Sequence, residues 1–192
     1  MVMKMARQHR ASGRRAAGLA GSGLLAAGVT GALYVAGRLH TPDYTFALFG
    51  QVGLGAVALK ALLASIVLAG AAVQVVLALW IYHKLPVAGH PPRPVRPAHR
   101  ILGLAVFTLT VPIAVHCLIA YGVQLTSPRV AVHSLAGCFF YGAFTAKVLL
   151  VHSRRLPGWA LPAAGGTLAI LTAVLWYTSA LWYYNGYQLP GL

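Results

Sequence analysis

Two histidines, His116 in "VPIAVHCLIA" and His133 in "VAVHSLAG", lie inside stretches that are otherwise almost wholly apolar. An ionisable side chain in hydrocarbon is costly and normally faces the protein interior, a cavity or a cofactor. Neutral imidazoles carry a lone pair on one ring nitrogen, so a pair of them on neighbouring helices can hold a metal between them. Two further histidines, His99 and His152, flank the same two stretches at their opposite ends, and His83 ends the stretch before them. Gly137 follows His133 by one helical turn and presents no side chain on that face.

Those residues need elements to position them, and the composition says which. The chain has 192 residues, 59% of them hydrophobic, 8% charged, and one acidic residue, Asp43. Apolar runs of about 20 residues cross some 30 Å of hydrocarbon at about 1.5 Å per residue. Five such spans are expected, over 17–37, 55–82, 101–124, 130–151 and 161–184. The fold class is therefore all-α and polytopic, with spans two to five forming a four-helix bundle beside a Gly-rich first span. A basic tail over 1–16 precedes a single transmembrane domain over 17–192. The first run resembles a signal peptide behind its basic n-region and is expected to be retained as a signal anchor.

Basic residues orient the spans. Lys4, Arg7, Arg10, Arg14 and Arg15 precede the first, Lys84, Arg93, Arg96 and Arg100 lie between the second and third, and Arg154 and Arg155 follow the fourth. All fall on one side if the N-terminus is cytoplasmic and the C-terminus extracytoplasmic. The net charge of +14 is thus a topology signal, and no nucleic-acid role is expected. Arginine, alanine and glycine usage points to a GC-rich bacterium, which places the chain in the bacterial cytoplasmic membrane. The proline-rich loop 86–97 is expected to be extended. "TPDYTFALFGQ", with Thr41 as N-cap and Pro42 in the first turn, is expected to form a short interfacial helix that lids the outer face.

With the third and fourth spans antiparallel, His116 and His133 come close in depth. His116 lies eight residues before Gln124 and His133 four after Arg129, about 12 Å and 6 Å of helix rise from the outer ends. Two such imidazoles suit the axial positions of a haem slotted between helices, with Gly137 leaving room for the ring. Zinc would look for four ligands and find only His40 as a third histidine near that depth. A plainer reading also stands: each histidine donates one hydrogen bond and ties helices together. One haem b is the base expectation. A second, inner haem would draw on His83, His99 and His152, with Lys147 nearby. His99 and His116 point about 100° apart on their helix, as do His133 and His152 on theirs, which argues against a simple stacked pair.

Lys60 and Lys147 lie within spans that hold no acid. Each either snorkels to the interface or meets a ligand's negative charge, such as a haem propionate or an anionic headgroup. Arg129 and Arg38 are the outer propionate candidates. Cys117 and Cys138 occupy similar depths and read first as small apolar side chains. Phe139, Phe140, Tyr141 and Phe144 either line a cofactor or simply pack. On the first span Gly23, Ala27 and Gly31 make a small-xxx-small ridge, suited to another span, a second copy or a different subunit. Hydrolytic chemistry has no visible basis, because neither paired carboxylates nor a nucleophile with its base is present.

"HRILGLAVFTLTVPIAVHCLIAYG" resembles a helix of ferric-reductase-like and related b-type cytochrome membrane domains. Arg100, Leu102 and Gly103 match the end at the membrane face, and His116 matches the haem ligand. The spacing is a few residues longer here, and the five spans include no flavin or nicotinamide domain. The overall pattern also resembles an uncharacterised actinobacterial multi-pass membrane family. The expectation is an electron-transfer protein or oxidoreductase subunit whose haem exchanges electrons with quinol, menaquinone being the pool in such a bacterium, and with an extracytoplasmic redox protein. The competing expectation is a non-catalytic subunit or assembly factor of a larger membrane complex. A transporter fits least, since inverted repeats and broken helices are lacking.

Overall fold

The computed structural model describes residues 2–86, 89–152 and 157–189, with side chains from residue 18 onward. The side chains of the basic tail and those of Arg154 and Arg155, on which part of the orientation argument rests, lie outside the described residues. Five helices dominate: α1 (Val2–Leu39), α2 (Gly53–Ile81), α3 (Val95–Ala120), α4 (Pro128–His152) and α5 (Ala160–Trp176). A π-helical segment, Tyr177–Leu181, and one further helical turn, Trp182–Tyr184, extend α5. Five stretches are long and apolar enough to cross a membrane: Gly18–Leu39 of α1, α2, α3, α4 and Ala160–Tyr184. Among the described residues there is no strand, only an isolated bridge between Leu48 and Gln51.

The order of packing differs from the order of the chain. α4 lies against α1 and α5, and α2 against α3 and α5, whereas α3 and α4 hardly approach one another backbone to backbone. Lipid tails are as apolar as the helix surfaces, so close packing must come from small residues that let backbones meet. Gly142 provides this between α4 and α1. A Cβ added there would lie 2.5 Å from the Ala26 carbonyl oxygen and nearer still to Thr30 Oγ1. Ala136, Phe140 and Ala143 of α4 pack with Leu168 and Leu171 of α5 to form the core. The first span is therefore an integral part of the bundle.

The ridge expected on α1 is displaced by one position. Ala26 and Thr30 make the close contact, whereas Gly23, Ala27 and Gly31 are exposed and line a groove of about 650 Å³ with residues of α4 and α5.

Two local expectations are corrected. The segment 40–52 forms turns in place of the expected interfacial helix. Asp43 accepts hydrogen bonds from the Thr45 amide (3.0 Å) and hydroxyl (2.6 Å), and this Asx geometry competes with helical backbone bonding. The Thr45 hydroxyl and then its amide hold the Asp43 carboxyl below its ordinary value of 3.8. α3 also begins at Val95, within the segment expected to be extended. Pro97 is tolerated there because the first turn's N–H groups have no intrahelical acceptors.

At the upper end, the end bearing residues 40–52, α1 is tied to the α3–α4 connection. The Val123 amide donates to the Gly37 carbonyl (2.8 Å), and Arg38 donates to the Val123 carbonyl (3.3 Å). Lower down, Tyr141 of α4 bridges to the carbonyl and hydroxyl of Thr110 on α3, both at 3.0 Å. Phe107 and Phe144 stack face to face at 3.5 Å. These contacts hold α3 and α4 together around a gap.

Candidate functional site

That gap is a cavity of about 490 Å³, within the ~300–1,000 Å³ range of ligand pockets. Its walls come from α2 (Lys60, Ala61, Ala64), α3 (Thr110, Ala114, Cys117, Tyr121), α4 (Arg129, His133, Gly137, Cys138) and the extended α5 (Leu175, Trp176, Ser179, Trp182). The middle is apolar, and the polar and cationic groups gather toward the upper end.

His133 and Gly137 stand together on the α4 wall, one turn apart. The His133 Nδ1 lies 2.9 Å from the Thr178 hydroxyl. That hydroxyl also lies 2.7 Å from the Val174 carbonyl, and when it donates there it can accept from a His133 Nδ1–H. In that tautomer the lone pair is on the other ring nitrogen, Nε2. At Gly137 an added Cβ would meet only a Leu175 methyl at 3.8 Å. The face of α4 beside the imidazole is thus open, which is the clearance a flat ligand needs.

Arg129 sits one turn above His133. It donates to the Thr178 carbonyl at 2.9 Å and places its guanidinium 3.8 Å from the centre of the Trp182 ring. Thr178 belongs to the π-helical segment, a local widening that is frequent at functional sites. Lys60, from α2, lies over the Tyr121 ring at 4.3 Å, and its charge is within electrostatic range of both His116 and His133. Trp176 closes the α5 wall by donating to the Ser65 hydroxyl of α2 at 3.0 Å. Among the described residues neither Lys60 nor Arg129 has a carboxylate partner. Asp43, the one acid in the chain, is exposed and engaged with Thr45.

His116 is placed elsewhere. It is 2% exposed, and its ring packs 6.0 Å from Phe46 and 5.8 Å from Tyr121, measured between ring centroids. Its Nδ1 is buried without a partner. The reason is rotational. The cavity face of α3 runs through Thr110, Ala114, Cys117 and Tyr121, and at about 100° per residue His116 lies roughly 130° from the centre of that face. Similar depth did not imply similar direction, so the expected facing pair of histidines is not assembled across the cavity. The turn segment 40–52 nevertheless acts as a cover, with Phe46 over His116 and Tyr44 edge-on to Tyr121 at 6.0 Å.

The remaining candidates are dispersed. Arg38 is held by the Val123 carbonyl and is not on the cavity wall. His83 is exposed and packs on His90, with ring centroids 5.0 Å apart. His99 has its backbone carbonyl bonded by Gln74 at 2.8 Å and its Nδ1 buried without a partner. His152 bonds back to the Val148 carbonyl of its own helix at 2.8 Å. Lys147 is half-buried, away from the upper cavity and within electrostatic range of His99. Among the described residues no three of His, Cys, Asp or Glu converge as a metal cluster. Cys117 and Cys138 are free thiols, and both reach the cavity.

Thr178 went unnoticed in the sequence reading. Its one available signal was "TS", the polar pair inside the apolar run "LWYTSALW".

The five apolar spans define a multi-pass membrane protein, and its helices enclose a cavity. Residues 19–191 match the model of a family of unknown function, DUF6529, and the chain belongs to that family. No curated protein and no solved structure matches it.

Proposed function

We propose that this protein is a b-type cytochrome of the bacterial cytoplasmic membrane. In this reading one haem b occupies the cavity between α3 and α4, with His133 as its protein ligand. Held there, haem would supply one-electron transfer between quinol, menaquinol in such a bacterium, and a redox partner on the extracytoplasmic side. One observation carries the reading: a histidine on the wall of an apolar cavity between the helices has its Nδ1 engaged by Thr178 and a glycine one turn away. Metal-ligating histidines characteristically donate their other ring N–H in this way.

When bound, the haem supplies one-electron chemistry at its iron. The chain's own residues ligate, orient and tune. His133 offers a neutral imidazole nitrogen, and Gly137 leaves the ring plane unobstructed. Lys60 and Arg129 bring two positive charges to the upper end, where anionic propionates would find their counter-charge. The apolar wall around Ala61, Ala64 and Trp176 excludes water, which strengthens those interactions and raises the influence of each charge on the iron. The residues present suit one histidine ligand. His116 would have to leave Phe46 and turn across α3 to become the second, and His83, His99 and His152 are not on the wall of this cavity.

The upper end is taken as extracytoplasmic, because the lower connection carries Lys84, Arg93, Arg96 and Arg100. The open groove on α1 at Gly23, Ala27 and Gly31 favours a second reading, a subunit of a larger membrane complex or of a homo-oligomer that packs a further helix there.

A reduced-minus-oxidised visible spectrum of detergent-purified protein tests the proposal. A Soret and α-band change with a b-type pyridine haemochrome is expected. Well-folded protein purified from haem-replete cells without such a change would refute it.

A further inference from the structure

Thr178 joins the two cavity residues that matter most to each other. It is 1% exposed, the largest side chain in the protein that is fully buried among the described residues. Its carbonyl receives Arg129 at 2.9 Å and its hydroxyl receives His133 at 2.9 Å. A hydroxyl has one proton, and at Thr178 it goes to the Val174 carbonyl, the fourth residue back along α5, at 2.7 Å. A second carbonyl, Leu175, stands 3.3 Å away and competes for the same proton. With its hydrogen directed at either main-chain acceptor, the Thr178 oxygen is free to accept from the imidazole. Thr178 lies within the π-helical segment Tyr177–Leu181, where both its carbonyl and its hydroxyl meet side chains of α4.

We infer that Thr178 is a positioning residue that locks His133 in the Nδ1–H tautomer, so that Nε2 presents its lone pair to the cavity. By holding Arg129 through the same residue, it also couples the orientation of the imidazole to the position of the cation above it. The haem reading gives this tautomer its purpose. The tautomer itself is a property of the protein without haem, so the two can be tested apart.

The experiment is ¹⁵N NMR of histidine-labelled, detergent-solubilised protein prepared without haem, with His133 assigned by loss of its signals in His133→Gln. Expected in the native protein at neutral pH are a protonated, pyrrole-type Nδ1 and an unprotonated, pyridine-type Nε2. Thr178→Val keeps the shape and removes the acceptor, so the two nitrogens should move toward averaged shifts. Thr178→Ser keeps the oxygen and should restore the native pattern. In haem-loaded protein, Thr178→Val should weaken haem retention by about 10–100-fold, the usual effect of removing a metal-ligating histidine's outer partner. An Nε2–H tautomer in the native protein, or a native pattern persisting in Thr178→Val, would overturn the inference. A native Nδ1–H pattern in protein that never acquires haem would uphold the tautomer lock and refute the haem reading alone.

Discussion

His133 and His116 are the two deeply placed histidines at the upper end of the bundle, and their surroundings are opposite. His133 is half-buried on a cavity wall, has its Nδ1 satisfied by a hydroxyl, and faces open space left by a glycine. His116 is 2% exposed, with its ring wedged against Phe46 and Tyr121 and its Nδ1 without a partner. One ring is oriented with capacity to spare, and the other is packed. A histidine becomes available for ligation when its neighbours satisfy one nitrogen and withdraw from the other, and depth in the membrane does not decide that.

The sharpest way to break this comparison is to remove each ring. His133→Ala should abolish the haem spectrum, while His116→Ala should retain it with at most a small shift. Next in size is Gly137→Leu, which fills the space beside His133. It should lower haem occupancy at least about tenfold, equivalent to about 1.4 kcal/mol, with the thermal melt unchanged. Lys60→Met and Arg129→Met each remove one charge-assisted contact, about 1.5–3 kcal/mol. Haem affinity, measured by titration into haem-free protein, should fall by roughly 10–100-fold for each.

Smaller still should be the effect of Gly142→Ala on the haem, although the added methyl forces α1 from α4. The expected loss is about 1–3 kcal/mol of stability in a detergent unfolding titration, with the spectrum retained. The smallest effect belongs to the cover over His116. Asp43 has its carboxyl pKa depressed by Thr45, so its contribution to the turn is present above the ordinary value of 3.8 and is lost as pH falls through the lower, folded value. Hydrogen exchange at the Thr45 amide should accelerate over that acidic window, and Asp43→Asn should remove the pH dependence.

The spans were legible in the sequence because hydrocarbon thickness and helix rise constrain length directly, and little else can satisfy the backbone in lipid. Their ends were less so: the prolines of loop 86–97 hid the start of α3 at Val95, and an Asx turn at Asp43 replaced the helix expected behind Thr41. On α4 the site was legible as well, since His133 and Gly137 are four apart and any helix puts them on one face. On α3 the depth of His116 was legible but its direction was not. The side that faces a cavity depends on which neighbours each helix packs against, and here α3 turns to α2 while α4 turns to α1 and α5. The π-helical segment left no comparable sequence signal. In the structure that segment coincides with the Arg129 contact to the Thr178 carbonyl, which no sequence periodicity encodes.

The central claim is that His133, and not His116, holds a haem in the α3–α4 cavity. Its most direct test is the reduced-minus-oxidised spectrum of three purified proteins: native, His133→Ala and His116→Ala, each checked for folding by circular dichroism. The account predicts a b-type signal in the native protein and in His116→Ala, and none in His133→Ala. A signal that survives His133→Ala, or a folded native protein that gives none, would contradict it.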